Sequence, residues 1–437
     1  MVTISLPKSA MTLKRHILNC LECASSQGLN SDNTSVSVNL SEWISVKTFH
    51  REVKIASDLF NSIQPCIQCD FTLNYQNDSY NPARVSPSII YIGVKPSSSE
   101  GFYVQDVWCQ SIDSDIEGVV YSRTSTCNET NIRHFSWFIS LISLGFSLKD
   151  SLVIARSATS AVTRVSRETS FNKEIDTAIW PTSYLDFPKL IERLPVIDKG
   201  HVYCRSDIFF PRISKESFGL YPVVDDISWI RKLLPLGVKM IQLRIKDGSK
   251  KDLEHQIIEA IKLGREYDVM VFINDHWRLA VKHGAFGVHL GQEDLERVEL
   301  DRLIASGIHL GISSHGYYEL LRAQSFKPSY VALGHIFATT TKQMPSQPQG
   351  LTKLKLYQNL INSIESTSNE ISIPTVAIGG IDLSNVSDVM KCGVSCVAVV
   401  RAITLSESLQ DDLEKFDKYQ PLQHQARLYR KGEHDVI

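Results

Sequence analysis

Short apolar runs alternate with amphipathic stretches from about residue 218 onward. Eight runs read as strands, and they are FGLYPVV (218–224), MIQLRIK (240–246), VMVFIND (269–275), AFGVHLG (285–291), IHLGISS (308–314), YVALGHIF (330–337), IPTVAIGG (373–380) and CVAVVRAI (396–403). Between them lie helical patterns, such as residues 251–267, where Leu253, Ile257, Ile258 and Ile261 recur at helical spacing. This alternation predicts an α/β fold built as a (β/α)8 TIM barrel, with a doubly wound open sheet as the alternative.

Polar and apolar side chains alternate along the second of these strands. Successive side chains of a strand point to opposite faces, and helices cover the outside of a barrel. Gln242, Arg244 and Lys246 are therefore predicted to face inward. Two cations buried without partners would be very costly, and an anionic ligand would remove that cost. An internal salt-bridge network without a ligand is the alternative.

Residues 1–195 are less regular and are predicted to form a separate, smaller α/β domain. Within them, residues 134–164 read as two helices joined through Gly145. Residues 196–217 read as a linker, residues 218–420 as the barrel and residues 421–437 as a polar tail. Two domains are the ordinary expectation for a chain of 437 residues.

Composition and charge describe a soluble globular protein, with 43% hydrophobic and 22% charged residues. The formal net charge of −2 gives no reason to expect a nucleic-acid or membrane partner. The first residues lack the pattern of a signal peptide, and the longest apolar stretch, residues 137–146, is too short to span a bilayer. A cytoplasmic protein is expected, and assembly into a homo-oligomer is left open.

Two C-x-x-C pairs among the nine cysteines raise the question of a zinc site. Cys20 and Cys23 form one pair, and Cys66 and Cys69 form the other. The gap between the pairs is longer than the usual zinc-ribbon spacing, and the first pair sits in a helical pattern. Free thiols in a reducing compartment are the favoured interpretation, with a structural metal as the alternative.

Polar residues and glycines collect where the predicted strands end, which is where barrel active sites form. They are Arg244, Lys246, Asn274, Asp275, Gln292, Asp294, Ser313, Ser314, Thr339, Thr341, Lys342, Gly379 and Gly380. Carboxylates such as Asp275 and Asp294 suit Mg²⁺, while Arg244, Lys246 and Lys342 supply positive charge for phosphate oxygens. The hydroxyl groups donate hydrogen bonds, and glycine lets backbone N–H groups approach a phosphate closely. These parts imply two phosphate-bearing ligands, one of them with Mg²⁺.

Residues 218 to about 405 resemble the thiamine phosphate synthase family. The motifs that carry the resemblance are GLYPVVD, QLRIKD, FINDHWRLA, GVHLGQEDL, LGISSH, LGHIFATTTKQMPSQPQG, PTVAIGGI and VAVVRAI. The resemblance implies a Mg²⁺-dependent transferase of thiamine biosynthesis, which joins hydroxymethylpyrimidine diphosphate to thiazole phosphate and releases diphosphate. In such a reaction diphosphate departs with dissociative character, so neutralising the leaving group is the main catalytic task and no nucleophilic side chain is required.

The resemblance also implies roles for individual residues. The pyrimidine diphosphate would be held by Gln242, Leu243, Arg244, Ile245, Lys246, Asn274, Ser313 and Lys342, and Mg²⁺ by Asp275 and Asp294. The thiazole phosphate would be held by Thr339, Thr341, Gly379 or Gly380, and the backbone at Val400 and Arg401. Thr340 lies in the same binding segment without a role of its own. The catalytic residues would be Arg244, Lys246, Lys342 and Ser313.

One departure from the family falls at Arg401, where the family usually carries serine. A long cation there either adds charge to the thiazole-phosphate site or weakens it. A thiazole tautomerase-like barrel and a non-catalytic ligand sensor, with the first domain as its output, are the alternative functions.

The first domain resembles hydroxymethylpyrimidine kinases of the ribokinase-like fold over about residues 85–180. The sequence LISLGFSLKDSLVIARSATSAVTR resembles the last helices of that family, and VQDVW and YSR match its late strands. Its Gly-Thr-Gly-Cys phosphate loop should fall at residues 129–132, which here read Glu-Thr-Asn-Ile. The glutamate would repel phosphate. A degenerate, non-catalytic kinase-like domain is therefore predicted, with an unrelated α+β domain as the alternative.

Overall fold

The computed structural model describes residues 2–39, 43–49, 51–60, 69–76, 86–94, 103–109, 117–122, 128–168, 178–192, 210–246, 250–339, 347–368 and 373–419. The chain divides into two compact units. One comprises Met1–Cys204 with Ser366–Ser368, and the other comprises Arg205–Glu365 with Asn369–Ile437. The predicted polar tail lies outside the described residues. Among the helices that are described, none combines the length and apolarity that crossing a membrane requires.

The first unit is built on a mixed sheet, which has nine strands in the part of the chain described. They are β1 (Val2–Pro7), β2 (Thr34–Asn39), β3 (Ile44–Lys47), β4 (Glu52–Ser57), β5 (Phe71–Asn74), β6 (Ile89–Val94), β7 (Tyr103–Trp108), β8 (Glu117–Ser122) and β9 (Lys189–Glu192). Their order is β2-β1-β3-β4-β5-β6-β7-β8-β9. The pairs β1–β2, β4–β5 and β5–β6 are parallel, and the other five are antiparallel.

Three helices accompany this sheet: α1 (Leu13–Ser26), α2 (Asn128–Ser143) and α3 (Leu148–Glu168). Helix α2 packs against both other helices and against β1 and β3. Gly145 makes the turn between α2 and α3 with a φ of 77°, so the two-helix prediction is confirmed. The motif VQDVW and the first two residues of YSR fall on β7 and β8 as strands, while the ribokinase-like identity of the unit stays a prediction.

Two buried aspartates tie α3 to its surroundings. Asp106 on β7 accepts both Nε and Nη2 of Arg156, at 2.8 and 2.9 Å, and also accepts the backbone N–H of Gly93. Asp186 accepts two bonds from Arg164 in the same bidentate manner. Such forks fix geometry strongly, because two parallel hydrogen bonds restrain the planar guanidinium.

The second unit contains a closed barrel of eight parallel strands. They are β10 (Tyr221–Val224), β11 (Met240–Leu243), β12 (Met270–Asn274), β13 (Gly287–Leu290), β14 (His309–Ser314), β15 (Tyr330–Gly334), β16 (Thr375–Ile378) and β17 (Cys396–Val399). Each strand falls within one of the eight predicted runs. The TIM-barrel prediction is confirmed, and the open-sheet alternative is wrong.

Helices follow the strands around the barrel. They are α4 (Ile227–Leu233), α5 (Lys250–Glu266), α6 (Trp277–His283), α7 (Leu300–Ala305), α8 (Tyr317–Ser325), α9 (Gly350–Ser368), α10 (Val386–Lys391), α11 (Arg401–Thr404) and α12 (Leu409–Asp417). The helix predicted over residues 251–267 is confirmed as α5. Short 3₁₀ turns complete the described helical elements at Lys8–Ala10, Tyr184–Asp186, Lys215–Ser217, Leu234–Leu236 and Asp294–Glu296.

The barrel interior is filled by large aromatic side chains. Tyr221, Phe272 and Tyr330 are fully buried and meet edge to face, with ring centroids 5.2 to 6.1 Å apart. They belong to one core cluster that also includes Met240 and Cys396. A packed interior leaves the carboxyl ends of the strands as the place for a site.

Residues just before the first strand form a floor for the barrel. Ile213 and Phe218 belong to the barrel core cluster, and Phe210 is buried with its backbone N–H bonded to Lys327 O at 3.3 Å. Ser329 Oγ donates to Pro211 O. The last eight residues of the predicted linker, 210–217, therefore contact the barrel, and residues 196–209 lie outside the described residues.

The cysteines of the described residues are free thiols. Cys20 and Cys23 lie on α1, as the helical pattern predicted, and Cys20 and Cys69 are buried. Burial raises the pKa of Cys20 well above its usual value, and the neighbouring Cys23 raises it further. Cys66 lies outside the described residues, so the proposed pairing of the two C-x-x-C motifs stays a prediction.

Candidate active site

The carboxyl ends of β11 to β14 bring several of the predicted residues to one end of the barrel. Asn274, the last residue of β12, lies beside His289 in the strand register. Ser313 on β14 lies beside Ala332 of β15. Gln242 is 4% exposed, and its Nε2 donates to the Tyr221 hydroxyl at 3.0 Å. The inward orientation predicted for Gln242 is confirmed by this contact with the barrel core.

Arg244 follows β11 and lies at the edge of the barrel interior. Its backbone N–H donates to Val224 O, which extends the pairing with β10 by one residue. Burial lowers the pKa of the guanidinium, and the nearby negative charge of Asp275 opposes that shift. Leu243 is buried and alternates with Gln242, so its side chain lies on the outer face of the strand and its backbone alone is available to a ligand. Lys246 is exposed.

Asp275 and Asp294 form a pair of neighbouring carboxylates. Burial raises the pKa of Asp275, and the charge of Asp294 raises it further, whereas Arg244 lowers it. Asp294 accepts the backbone N–H of Gly291 at 3.0 Å. Asp275 itself has a left-handed φ of 61°, and its N–H donates to His289 O. Two like charges held close together are the electrostatic setting in which a cation binds favourably.

The two carboxylates are hard oxygen ligands of the kind that suits magnesium, but they are few for a complete metal site. No group of three or more His, Cys, Asp or Glu side chains that could hold a metal occurs among the described residues. Two carboxylates nevertheless match the habit of Mg²⁺, which takes one or two carboxylates and completes its octahedron with ligand phosphates and water. The residues present therefore fit a metal that arrives with a phosphate-bearing ligand.

Ser313 is held on both sides, by Gln292, which the sequence placed among the strand-end candidates, and by His289, which the sequence reasoning did not assign to the site. Its Oγ lies 2.8 Å from His289 Nε2, and its carbonyl oxygen accepts Gln292 Nε2 at 2.6 Å. His289 Nδ1 in turn lies 2.7 Å from the Tyr330 hydroxyl. The signal that could have found His289 is its alternate position in the run AFGVHLG, which puts a polar side chain on the inward face.

Gly379 and Gly380 follow β16 and pack against the segment after β15. Both have positive φ, 107° and 64°. A Cβ on Gly379 would lie 2.4 Å from the Cβ of His335, and one on Gly380 would lie 2.6 Å from Ala338 O. Glycine is required here because both the backbone conformation and the close approach exclude a side chain. Thr339 is described beside this segment, whereas Thr340, Thr341 and Lys342 lie outside the described residues.

Val400 and Arg401 stand where β17 passes into α11. Val400 precedes the helix, and its carbonyl oxygen accepts the N–H groups of Ile403 and Thr404. The Arg401 side chain is exposed. Because α11 begins at the carboxyl end of a strand, its first backbone N–H groups lie at the same end of the barrel as the other predicted residues. The structure therefore collects each described candidate at this end.

These features define a TIM-barrel enzyme whose carboxyl end is equipped for anionic ligands. Residues 220–403 match the family model described as thiamine monophosphate synthase. The thiamine-phosphate synthase of Proteus mirabilis is 56% identical over 197 residues, which are 45% of this chain and 87% of the relative. That of Photorhabdus laumondii is 54% identical over 191 residues, 44% of this chain and 84% of the relative.

The chain belongs to the thiamine-phosphate synthase family, and its barrel is that of a transferase of thiamine biosynthesis. The resemblance seen in the strand motifs is confirmed. Among solved structures, a thiamine phosphate pyrophosphorylase from Pyrococcus furiosus is 30% identical, with a TM-score of 0.40, and covers 47% of this chain and 96% of its own. The family match covers residues 220–403 and does not extend to the first unit.

Proposed function

We propose that the barrel condenses hydroxymethylpyrimidine diphosphate with thiazole phosphate to give thiamine phosphate and diphosphate, with Mg²⁺ as cofactor. The observation that carries this proposal is the grouping of Arg244 with the paired carboxylates Asp275 and Asp294 at one end of the barrel. A cation beside two like-charged acids suits a ligand that brings both a metal and a diphosphate. The family membership supports the same two substrates.

Asp275 and Asp294 would hold the Mg²⁺. When bound, the metal neutralises negative charge on the diphosphate oxygens as a Lewis acid. The left-handed backbone of Asp275 turns the chain directly after β12, and its N–H bond to His289 O holds the residue against the next strand. This anchoring keeps the carboxylate in place before a ligand arrives, which is the condition for electrostatic preorganisation.

The chain's own cations and donors act on the two phosphate groups. Arg244, Lys246 and Lys342 would neutralise the departing diphosphate, and Ser313 would donate a hydrogen bond to it. The thiazole nitrogen then attacks the pyrimidine methylene carbon as the carbon–oxygen bond to diphosphate breaks. The backbone at Gly379 and Gly380, with Thr339 and Thr341, would position the thiazole phosphate.

A second group of residues completes the proposed substrate contacts. Gln242, Leu243 and Ile245 would shape the pyrimidine side with Asn274, while Val400 and Arg401 would approach the thiazole phosphate. Asn274 is 5% exposed, so its amide is buried, and a hydrogen bond from it to the pyrimidine ring would be shielded from water. Arg401 is exposed and can add positive charge without displacing the backbone N–H groups.

A substrate assay with matched variants tests the proposal. Purified chain, both phosphorylated substrates and Mg²⁺ are expected to give thiamine phosphate and diphosphate, and EDTA to abolish them. Asp275→Ala and Lys342→Ala are each expected to lower kcat/KM at least about 100-fold. The first removes a ligand of the Mg²⁺ that would neutralise the leaving diphosphate, and the second removes a positive charge that would do the same. Asp388→Ala, an exposed carboxylate on α10 paired with Lys391, is the control and should leave the rate unchanged.

The alternative functions give different results in the same assay. A thiazole tautomerase-like barrel would form no thiamine phosphate from these substrates. A ligand sensor would bind them tightly without turnover. Full activity in both Asp275→Ala and Lys342→Ala would refute the assigned roles while leaving the family membership intact.

For the first unit, we propose a degenerate kinase-like domain without catalytic activity. Glu129 lies in the first turn of α2, where a kinase phosphate loop is expected, and pairs with Arg133 at 3.0 Å. A carboxylate at a helix N-terminus occupies the electrostatic position that an anionic phosphate would need. The full chain with ATP and hydroxymethylpyrimidine or its monophosphate is expected to yield no ADP, and phosphorylation of either compound would overturn this proposal.

A further inference from the structure

We propose that a hydrogen-bonded chain buried in the barrel, here called the tyrosine–histidine chain, fixes the Ser313 hydroxyl as a donor to the substrate diphosphate. Its members are Tyr221, Tyr330 and His289. They are positioning residues, because they act on the substrate only through Ser313. The inference rests on the proposed function for the identity of the group that accepts the Ser313 hydrogen bond. The donor-to-acceptor direction of the tyrosine–histidine chain depends on the protein alone.

The chain runs without a break from β11 across the interior to β14. Gln242 Nε2 lies 3.0 Å from the Tyr221 hydroxyl, which lies 2.9 Å from the Tyr330 hydroxyl. Tyr330 lies 2.7 Å from His289 Nδ1, and His289 Nε2 lies 2.8 Å from Ser313 Oγ. Both tyrosines are at most 1% exposed and His289 is 7% exposed. All four distances fall within the ordinary range of hydrogen bonds.

The first donor sets the direction of every later bond. The Gln242 amide nitrogen can only donate, so the Tyr221 oxygen accepts and its own proton points to Tyr330. Tyr330 then accepts from Tyr221 and gives its proton to His289 Nδ1. Burial raises the pKa of both phenols, so each keeps the single proton that this order requires.

The consequence at the far end concerns the tautomer of His289. Because Nδ1 accepts, the imidazole proton resides on Nε2 and is donated to Ser313 Oγ. An oxygen that accepts this bond turns its own proton elsewhere, and Ser313 therefore presents a hydroxyl hydrogen. Such a group is a donor to an anionic oxygen, and a reversed chain would make it an acceptor that repels the same oxygen.

A second contact holds the backbone of the same residue. Gln292 Nε2 donates to Ser313 O at 2.6 Å, and Gln292 Oε1 accepts Arg322 Nη1 at 3.3 Å. Arg322 also donates to Gln292 O at 3.2 Å. The main chain is thereby fixed independently of the hydroxyl, so a change in the tyrosine–histidine chain alters the direction of the proton and not the position of the residue.

A double-mutant cycle tests the coupling in the full chain with Mg²⁺ and both substrates. Tyr330→Phe is expected to lower kcat about tenfold, the value of one well-placed hydrogen bond, with little change in the KM for thiazole phosphate. In the Ser313→Ala background, Tyr330→Phe is expected to lower kcat by less than about twofold, because there is no longer a Ser313 hydroxyl for Tyr330 to orient. Tyr318→Phe, a buried tyrosine on α8, is the control and should leave kcat unchanged.

The opposite result would overturn the proposal. If Tyr330→Phe lowers kcat by the same factor with and without Ser313, the tyrosine acts by general packing. If it leaves kcat unchanged in the wild-type background, the chain does not orient the hydroxyl.

The tautomer of His289 gives a readout that does not depend on activity. Nitrogen-15 NMR of the wild-type protein labelled on histidine, with the signal assigned by its loss in His289→Gln, is expected to show the proton on Nε2. A proton on Nδ1 would refute the proposed direction. Since this spectrum is recorded without substrates, it decides the inference separately from failure of the synthase assay.

Discussion

Gly379 and Gly307 have similar backbone requirements but different surroundings. Both have positive φ, 107° and 68°. An added Cβ on Gly379 would lie 2.4 Å from the His335 Cβ, whereas nothing lies within 4 Å of one on Gly307. The two positions separate the cost of the left-handed conformation from the cost of a clash.

Replacing each glycine with alanine is expected to give unequal losses. Gly307→Ala should lower the free energy of unfolding by about 1–2 kcal/mol, the cost of a left-handed alanine, with activity unchanged. Gly379→Ala should lower it by more, and should also raise the KM for thiazole phosphate, because the segment after β15 must move. Denaturant unfolding and steady-state kinetics of both variants provide the measurement. Equal effects would show that the contact with His335 is unimportant.

Individual site residues could be predicted where a charged residue stands at the end of a predicted strand. Arg244 and Asp275 stand out because ionised groups at strand ends are costly without a partner or ligand. Tyr221 and Tyr330 carry no such signal, since a tyrosine in an apolar run reads as core. Their hydroxyl contact joins residues 109 positions apart in the chain, and a sequence pattern contains no information on which strands will face each other across a barrel.

Helix α2 shows how the greater part of an element can be constrained by burial on every side. Its residues 134–143 are all buried, which is the pattern of a helix enclosed by its own unit. His134 is fully buried, with Nδ1 2.8 Å from the Tyr75 hydroxyl, and its Nε2 has no hydrogen-bond partner among the residues that the structure describes. Burial lowers the pKa of His134 well below its usual value, and the charge of Arg156 lowers it further.

Mild acid is therefore expected to destabilise the first unit through this helix. The unfolded chain takes up a proton on His134 near pH 6.5, whereas the folded state resists it, so stability is full above that pH and falls below it. The loss should approach about 1.4 kcal/mol per pH unit until the folded pKa is reached. Denaturant unfolding between pH 7.5 and 5.5 measures it. His134→Asn should flatten this dependence and His16→Asn, a partly exposed control on α1, should not.

Elements of the barrel were easier to predict than those of the first unit. Buried parallel strands give continuous apolar runs separated by amphipathic helices, and each of the eight runs contains a strand. In the first unit β2 has the sequence TSVSVN and is largely exposed, so little apolar signal marks it. Such a sheet mixes parallel and antiparallel neighbours, and its order depends on pairing that a local pattern does not encode.

At the scale of the molecule, the segment just before the first barrel strand packs as part of the barrel core. Phe210, Ile213 and Phe218 are each at most 7% exposed, and two of them belong to the core cluster inside the barrel. The family match begins only at residue 220, so all three of these residues precede the segment that the family model covers.

Two barrel fragments are expected to differ in stability for this reason. A fragment of residues 205–437 retains all three floor side chains, while one of residues 219–437 lacks them. Their loss should cost about 4.5–9 kcal/mol, taking about 1.5–3 kcal/mol for each buried side chain. Thermal unfolding and synthase activity of both fragments provide the comparison. Equal stability would show that the floor is dispensable.

The floor also bears on what can precede the barrel in the chain. Residues from Phe210 onward close the bottom of the barrel. A segment attached in front of Phe210 therefore precedes a barrel whose core is already complete. Changes in length and sequence upstream of Phe210 are then expected to leave the chemistry at the opposite end of the barrel undisturbed. Replacing the first unit with another protein upstream of Phe210 should leave the synthase functional, so the barrel should act as an independent catalytic domain.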